Sequence, residues 1–361
     1  MAEHDFNNIS RIIYTNAEIQ KQDHLTRKCG NFSLNDGSLR VPLAVFYLLI
    51  FLFGLVGNLL ALWVFLRLHS KKNSVRVFLI NLALADLVLM ICLPFRVAYH
   101  ANHDIWSLHP VLCRVVGNVF YMNMYLSIFL LGLISIDRYV KLQGVSDRRR
   151  FLSRKQSFLT CCLLWVVATV SIIPMIATGG DRTIPNMCFQ YKHLLNAKWK
   201  AYMNIVVVIL FWVVYGILVT SYGKIAMGLL QVSEERPDFP NAAKYVRTAR
   251  KSFFVLFLFS LCFVPYHLVR IFYIYSQITD VSCEWIQLVD KVNELSLLLS
   301  AFNSCLDPVM YFLLCGSVRK AVLKMLCKNS CLKTSGGFSS SSYEKGRNQR
   351  EQPTQSDTST L

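Results

Sequence analysis

The chain has 361 residues, of which 54% are hydrophobic and only 16% are charged. This composition is too apolar for a soluble protein of that length and predicts a membrane protein with several spans. The formal net charge of +17 would suggest nucleic-acid binding in a soluble domain, but the basic residues cluster in short segments between apolar runs. The positive-inside rule explains such clustering, so no nucleic-acid partner is expected.

Seven apolar runs are long enough to cross a bilayer. They cover about residues 41–68, 75–100, 110–140, 158–177, 199–229, 252–275 and 286–314. Lysine and arginine are frequent in the loops that follow the odd-numbered spans, whereas the loops at residues 101–109 and 276–290 contain neither. The sequence therefore predicts an all-α seven-span bundle in the plasma membrane, with an extracellular N-terminus and a cytoplasmic C-terminus.

The composition along the chain predicts four regions. They are an extracellular tail (1–40), the seven-span bundle (41–315), an amphipathic eighth helix on the inner leaflet (316–332) and a disordered cytoplasmic tail (333–361). The N-terminal tail lacks the apolar core of a signal peptide and contains glycosylation sequons at Asn8 and Asn31.

The segment after the bundle contains three candidate modification or docking sites. Cys327 and Cys331 are candidates for palmitoylation, Ser359-Thr360-Leu361 for binding a PDZ domain, and the serine and threonine residues of the tail for phosphorylation that recruits arrestin. Membrane-proximal cysteines and solvated tails without these functions are nearly as common.

Several spans carry polar residues that an ordinary membrane anchor lacks. In the seventh span, a buried carboxylate and a proline that frees a backbone carbonyl both require polar neighbours, so this segment should face a hydrated interior. Its sequence Asp307-Pro308-Val309-Met310-Tyr311 resembles the (N/D)PxxY signature of rhodopsin-like (class A) G-protein-coupled receptors. The other spans match that family in order, through Gly57-Asn58, Asn81 to Asp86, Asp137-Arg138-Tyr139, Trp165, Tyr222 and Cys262-Phe263-Val264-Pro265.

Two of these polar residues predict a cation site. Asp86 and Asp307 are like charges within one bundle, so either one is protonated or a cation lies between them. Oxygen ligands suit a small, hard cation. The resemblance implies the allosteric sodium pocket of the family, formed by Asp86, Ser127, Asn303 and Asp307, and a cation bound there would favour the resting state.

The resemblance also implies a cytoplasmic switch that couples the chain to a heterotrimeric G protein, most often one of the inhibitory class. Asp137 would hold Arg138 at rest, and Pro265 would let the inner end of the sixth span move outward. Anchoring of a helix end at the interface is the alternative role for Arg138. The switch residues are Asp137, Arg138, Tyr139, Tyr222, Pro265 and Tyr311. Members of the family are receptors, so no enzymatic activity and no cofactor besides sodium are expected.

Four cysteines, Cys29, Cys113, Cys188 and Cys283, lie in predicted extracellular positions, where disulfides form. Four cysteines allow three pairings, and the sequence alone leaves the choice open. The resemblance implies Cys113 with Cys188, as throughout the family, and Cys29 with Cys283, as in its nucleotide-receptor-like members.

Polar residues at the outer ends of the spans predict a binding site for an anion. Arg96 and Arg270 lie in apolar spans, where an arginine usually meets a carboxylate or a phosphate, although snorkelling to the interface is the alternative. His267 and Arg270 are three residues apart, which puts both on one face of a helix. The predicted ligand residues are Arg96, Tyr99, Tyr121, His267, Arg270, Tyr273, Asn293 and Glu294.

The nature of the ligand follows from the branch that the chain resembles. Phe263, the run from Pro265 to Arg270, and Asp307 resemble the purinergic and lysophospholipid branch, whose members bind phosphate-bearing ligands. Nucleotide receptors commonly carry a lysine where this chain has Asn293 followed by Glu294. The missing positive charge and the added carboxylate favour a lysophospholipid with an ammonium group, and the chain is similar to lysophosphatidylserine receptors. A nucleotide or nucleotide-sugar receptor is the alternative.

Two other classes of seven-span protein are less consistent with the sequence. A retinal photopigment needs a Schiff-base lysine midway along the seventh span, and there is none between Lys291 and Lys320. Transporters are commonly built from duplicated halves, and the chain shows no internal repeat.

Overall fold

The computed structural model describes residues 39–67, 74–142, 152–177, 188–189, 191, 194, 198–235 and 242–314, with the single residues Arg319 and Leu323. These residues form seven α-helices: α1 (Arg40–Arg67), α2 (Ser74–Ala101), α3 (Pro110–Leu142), α4 (Arg154–Ala177), α5 (Lys198–Glu235), α6 (Ala242–Ile278) and α7 (Cys283–Leu314). Each is long and apolar enough to cross a membrane. The predicted all-α seven-span bundle is therefore confirmed.

Helix α3 contacts more of the other helices than α1, α4, α5 or α6 does. Helix α1 packs between α2 and α7, α6 packs between α5 and α7, and α3 contacts α2, α4, α5 and α7. Of the most apolar window of α3, 67% is buried by protein, against 6% for α4. Helix α3 is thus the central element, and α4 lies at the periphery with most of its apolar surface exposed.

Two glycines allow α1 to approach its neighbours closely. A Cβ on Gly57 would lie 2.8 Å from Cγ of Pro308 in α7, and one on Gly54 would lie 2.7 Å from the sulfur of Met90 in α2. Small residues at such contacts are typical of membrane helices, whose association depends on close van der Waals packing.

A proline in α7 leaves one backbone carbonyl without its usual donor. Pro308 has no N–H, so it cannot satisfy the carbonyl of Ser304 one turn earlier. Asn58 of α1 donates its Nδ2 to that carbonyl at 2.8 Å, and to Gly54 O at 3.0 Å. The expectation that polar neighbours compensate for Pro308 is therefore confirmed, and the compensation also joins α1 to α7.

Several sequence predictions lie outside the described residues. They concern the tail with Asn8, Asn31 and Cys29, the cysteines Cys327 and Cys331, and the C-terminal segment with Ser359-Thr360-Leu361. Of the predicted eighth helix, the structure describes only Arg319 and Leu323, both helical, so this element stays a prediction.

Candidate functional site

The outer half of α2 places Arg96 inside the bundle. Its side chain is 3% exposed, so the guanidinium does not extend to the membrane interface. Nη1 donates to the hydroxyl of Tyr47 in α1 at 2.6 Å, and Nη2 lies 3.4 Å from Oε1 of Glu294 in α7. The rings of Phe120 and Phe189 lie 4.5 and 4.6 Å from the guanidinium carbon. Glu294 therefore compensates the charge of Arg96, and the two residues connect α2 with α7.

Arg270 in α6 has a different environment. It is also buried, and its Nη2 donates to the amide oxygen of Asn204 in α5 at 2.8 Å. The rings of Tyr273, Tyr121 and Tyr266 lie 4.8, 5.6 and 5.9 Å from its guanidinium carbon. No carboxylate of the described residues lies within 4.0 Å of it. Arg270 thus presents a positive charge surrounded by aromatic rings and neutral polar groups.

His267 lies one turn deeper in α6 than Arg270, and its side chain is fully buried. Its Nδ1 lies 2.8 Å from the carbonyl oxygen of Phe263. The imidazole stacks on Phe211 of α5 with ring centroids 3.6 Å apart, and the rings of Tyr125 and Tyr266 meet it edge-on. His267 and Arg270 are both buried on the bundle side of α6, as their spacing predicted, and His267 forms an aromatic layer below Arg270.

A disulfide covers the site beside α2. Cys113 at the start of α3 is bonded to Cys188, with a Cα–Cα distance of 5.9 Å, so this predicted pairing is confirmed. Tyr99, Trp106 and Cys188 form one buried cluster, and Phe189 packs edge-on against Tyr99. Tyr99 therefore supports Phe189, the residue that covers Arg96. Cys283 is also disulfide-bonded, but Cys29 lies outside the described residues, so that pairing stays a prediction.

The outer end of α7 contributes buried hydrogen-bond acceptors. Asn293 is 3% exposed, and neither its Oδ1 nor Oε2 of Glu294 has a donor among the described residues. Beside this face, Tyr273 packs against Tyr191, whose hydroxyl donates to Oγ of Ser276 at 3.1 Å. Burial raises the pKa of Tyr191 to about 12, so this phenol is neutral at physiological pH.

The predicted sodium residues form a cluster in the middle of the bundle. Oδ1 of Asp86 accepts from Oγ of Ser304 at 2.7 Å and from Nδ2 of Asn123 at 3.1 Å, and Asn303 Nδ2 donates to Oδ2 of Asp307 at 3.0 Å. The carboxyl groups of Asp86 and Asp307 lie close enough to interact with each other.

Four oxygen atoms of this cluster are buried without a partner among the described residues. They are Oδ2 of Asp86, Oγ of Ser127, Oδ1 of Asn303 and Oδ1 of Asp307. No group of three or more His, Cys, Asp or Glu side chains in the described ranges could hold a metal ion. A set of four oxygens with two carboxylates nevertheless fits a small, hard cation such as sodium.

The predicted switch residues of α3, α5 and α7 lie in the halves of these helices that are remote from Arg96 and Arg270. Asp137 and Tyr222 are buried, and Tyr311 packs on Phe65 with ring centroids 5.2 Å apart. Tyr139 is half-buried, with Nζ of Lys224 5.9 Å from its ring centroid. The side chain of Arg138 lies outside the described part of the structure. Pro265 lies inside α6, between the outer site and the inner half of that helix.

The outer site comprises Arg96, Arg270 and the residues around them, and sequence reasoning missed five of these: Tyr47, Phe120, Phe189, Asn204 and Asp290, whose carboxyl group lies close to Tyr273. A polar residue in an apolar span is a signal for an interior position, and this signal applies to Asn204 and Asp290. The two phenylalanines and Tyr47 give no such signal, because aromatic residues are common throughout membrane helices.

Comparison with known proteins agrees with this architecture. The family described as 7 transmembrane receptor (rhodopsin family) matches residues 57–311. The chain is 46% identical over 317 residues to a Mus musculus protein described as Probable G-protein coupled receptor 34, covering 87% of this chain and 84% of that protein.

More distant relatives include two proteins whose names state nucleotide or purinergic ligands. The chain is 34% identical to a purinoceptor of Bos taurus, over 78% of this chain and 84% of that protein. It is 32% identical to the Uracil nucleotide/cysteinyl leukotriene receptor of Homo sapiens, over 79% of this chain and 76% of that protein.

Proposed function

The chain belongs to the rhodopsin family of seven-transmembrane receptors, and on this basis we propose that it is a receptor for a lysophospholipid, specifically lysophosphatidylserine. Its relatives are receptors and not enzymes, which confirms the expectation that the chain is not an enzyme. G-protein coupling and a multi-pass membrane location follow from the family.

The observation that carries the ligand proposal is the difference between the two buried arginines. Glu294 compensates Arg96, whereas Arg270 has no carboxylate among the described residues within 4.0 Å. A buried cation without a counter-ion favours binding of an anion. Since this guanidinium has no carboxylate in contact, it suits a group with about one negative charge, such as the phosphodiester of lysophosphatidylserine.

In the proposed complex, Arg270 and Tyr273 hold the phosphate. The N–H of Arg96 Nε, which is buried without an acceptor among the described residues, donates to the carboxylate of the serine. Asn293 and Glu294 face the remainder of the head group, and Tyr121 packs beside Arg270. The acyl chain extends along apolar side chains between the helices, beyond the layer formed by His267.

A nucleotide is the second candidate, because two relatives carry nucleotide or purinergic names. A nucleoside diphosphate brings roughly three negative charges, and a site for it needs several uncompensated cations. Of the two buried arginines, Arg96 and Arg270, only Arg270 meets that condition. The charge balance therefore favours the lysolipid.

The test compares ligands on cells that express the chain or its Arg270→Ala variant, with G-protein dissociation as the readout. We expect lysophosphatidylserine to activate the wild-type receptor and ADP and UDP-sugars to be inactive. Arg270→Ala should lower lysolipid potency at least about a hundredfold, because it removes a buried, charge-assisted contact. Arg270→Lys keeps the charge but not the two-pronged geometry, and should fall between the two.

The matched control is Arg154→Ala, which removes an exposed arginine at the start of α4. It should leave potency unchanged, and surface expression of all variants is measured in parallel. Activation by a nucleotide but not by the lysolipid would favour the alternative ligand. An unchanged lysolipid response in Arg270→Ala would contradict the role assigned to that residue.

On the cytoplasmic side, we propose that the chain activates an inhibitory-class G protein and recruits arrestin through its tail. The proposed switch consists of Asp137, Arg138 and Tyr139 in α3, Tyr222 in α5, Pro265 in α6 and Tyr311 in α7. A sodium ion between Asp86 and Asp307 would stabilise the resting arrangement. Burial of Asp137, Tyr222 and Tyr311 supports this proposal, since these side chains then depend on how the inner ends pack.

We also propose a plasma-membrane location with the N-terminus outside. The distribution of lysine and arginine among the loops supports this orientation. If it is correct, Asn8 and Asn31 are glycosylated. Treatment with a glycosidase should then increase the electrophoretic mobility of the wild type but not of an Asn8→Gln/Asn31→Gln variant.

A further inference from the structure

The outer face of α7 presents three hydrogen-bond acceptors in a row. In α7, Asn293 and Glu294 follow Asp290 by three and four residues, so all three side chains share one face of the helix. The carboxyl group of Asp290 lies close to the hydroxyl of Tyr273 and within electrostatic range of Arg270 and Glu294. Oδ1 of Asn293 and Oε2 of Glu294 are buried without donors among the described residues.

The two carboxylates of this face differ in what balances their charge. Oε1 of Glu294 lies 3.4 Å from Nη2 of Arg96, so its charge is largely used within the protein. Asp290 has no lysine, arginine or histidine of the described residues within 4.0 Å. It is half-buried, next to the cluster of Tyr191, Tyr273, Ile286 and Val289. Within the described structure, Asp290 is therefore the carboxylate of this face that has no cation in direct contact.

A primary ammonium group matches this arrangement. It has three N–H donors and one positive charge, and the face offers two acceptors without described donors together with a carboxylate that no described cation balances. The rings of Tyr191 and Tyr273 beside Asp290 add faces that attract cations. Leaving buried acceptors without donors is unfavourable, so a ligand that supplies donors gains from filling them.

We propose that Asp290, together with the amide oxygen of Asn293, binds the primary ammonium group of the ligand and determines selectivity for head groups that carry one. Arg270 on α6 and Asp290 on α7 then bind opposite charges of one zwitterionic head group. This inference rests on the proposed lysophospholipid function. It assigns the ammonium to Asp290, which sequence reasoning did not select, rather than to Glu294, because Glu294 is paired with Arg96.

A different role for Asp290 is to position Tyr273. The Tyr273 ring lies 4.8 Å from the guanidinium carbon of Arg270, and its hydroxyl lies close to Asp290. If Asp290 only held this ring in place, its loss would weaken every phosphate-bearing ligand equally. The proposed ammonium contact would instead weaken only ligands that carry the ammonium.

The experiment therefore uses two ligands that differ in one group. One is lysophosphatidylserine, and the other is its desamino analogue, in which hydrogen replaces the ammonium. Their potencies are measured by G-protein dissociation in cells expressing the full-length chain. The wild type should prefer lysophosphatidylserine at least about tenfold. Asp290→Asn should remove most of this preference by weakening lysophosphatidylserine, while the analogue keeps its potency.

Two further variants complete the design. Asp290→Glu keeps the carboxylate and should retain part of the preference, whereas Asp280→Asn removes an exposed carboxylate from the loop before α7 and should behave as wild type. Equal loss of both ligands in Asp290→Asn, or no loss of either, would overturn the proposal. A surface-expressed wild type that responds to neither ligand would refute the lysophospholipid function itself, a result distinct from failure of the Asp290 assignment.

Discussion

At the scale of single residues, Arg96 and Glu294 form an enclosed ion pair between two helices. The side chain of Arg96 is 3% exposed and that of Glu294 is 17% exposed, and Tyr47 accepts a hydrogen bond from Arg96 without adding a charge. Removing one partner of a buried ion pair is more costly than removing both, because the remaining charge is left uncompensated. The pair therefore connects α2 with α7 and also borders the outer site.

Replacing Arg96 alone should therefore destabilise the receptor more than replacing both partners. We expect Arg96→Met to reduce the free energy of unfolding by about 3 kcal/mol, because Glu294 then lacks a cation. The double variant Arg96→Met/Glu294→Gln should recover part of this loss. Thermal unfolding of the wild type, the single variants Arg96→Met and Glu294→Gln, and the double variant gives the coupling energy. A double variant whose loss equals the sum of the single losses would mean that the two charges do not interact.

The close contact between Gly57 and Pro308 leads to a second prediction. A Cβ at Gly57 would lie 2.8 Å from Cγ of a rigid proline ring, so Gly57→Ala should force α1 and α7 apart. We expect a loss of about 1 to 3 kcal/mol, measured as a lower Tm. Gly216→Ala is the matched control, because a Cβ there meets nothing within 4 Å. An equal change in Tm for both variants would show that helix propensity, and not the close contact, determines the effect.

The sequence identified both arginines but not the groups around them. An arginine in an apolar span must face the interior, and that argument needs only local composition. The partner of Arg96 depends on how helices distant in the chain are aligned, since Arg96 and Glu294 are 198 residues apart. Local composition alone leaves Glu294 available for a ligand ammonium, whereas in the structure it pairs with Arg96.

At the scale of helices, the contact between α5 and α6 is a ladder of aromatic rings. Phe211 is stacked on His267, and the planes of Phe211, Tyr215 and Phe259 are within 12° of parallel. The hydroxyls of Tyr215 and Ser260 lie 3.0 Å apart and form a hydrogen bond between the two helices. The ladder holds α6 against α5 between the outer site and the predicted switch.

We expect Tyr215→Phe to raise signalling in the absence of ligand. The variant keeps the stacked ring but loses the hydrogen bond, so the resting contact between α5 and α6 weakens by about 1 kcal/mol. If only the resting state has this bond, the active fraction should rise up to about fivefold. Basal G-protein dissociation, normalised to surface expression, measures the change.

Ser260→Ala removes the same bond from the other side and should have the same effect, while the double variant should add little. Tyr202→Phe is the control, because this tyrosine of α5 is 63% exposed. If Tyr202→Phe increased basal signalling as much as Tyr215→Phe, loss of the hydrogen bond could not be the cause of the increase.

The sequence predicted the residues that cross the membrane more accurately than the residues at which each helix begins and ends. The predicted span 252–275 lies within α6, which extends over Ala242–Ile278, and the predicted span 199–229 lies within α5, which ends at Glu235. Hydropathy detects the part of a helix inside the bilayer, whereas the backbone continues as helix into water. A start signal was available for α4, where Ser153 and Gln156 exchange side-chain to backbone hydrogen bonds in a capping box.

At the scale of the whole molecule, α7 connects the outer site with the central polar cluster. It carries Asp290 and Glu294 at the outer site, and its Ser304 and Asp307 reach Asp86 in the middle of the bundle. Between them, Ser300 donates to the carbonyl of Cys262 in α6, in the turn before Pro265. A ligand that draws the outer ends of α6 and α7 together would therefore act on groups that also contact the central cluster.

Sodium provides a test of this connection, because the proposed cation and the agonist favour different arrangements of the same helices. If sodium binds the four buried oxygens of Asp86, Ser127, Asn303 and Asp307 at rest, it should lower agonist affinity by about fivefold. Replacing sodium with choline at constant ionic strength should raise lysophosphatidylserine affinity by that factor. Asp86→Asn should abolish the dependence, because it removes one carboxylate, while Asp280→Asn should preserve it. A sodium effect that persists in Asp86→Asn would place the cation elsewhere, and the two carboxyl groups would then be expected to share a proton.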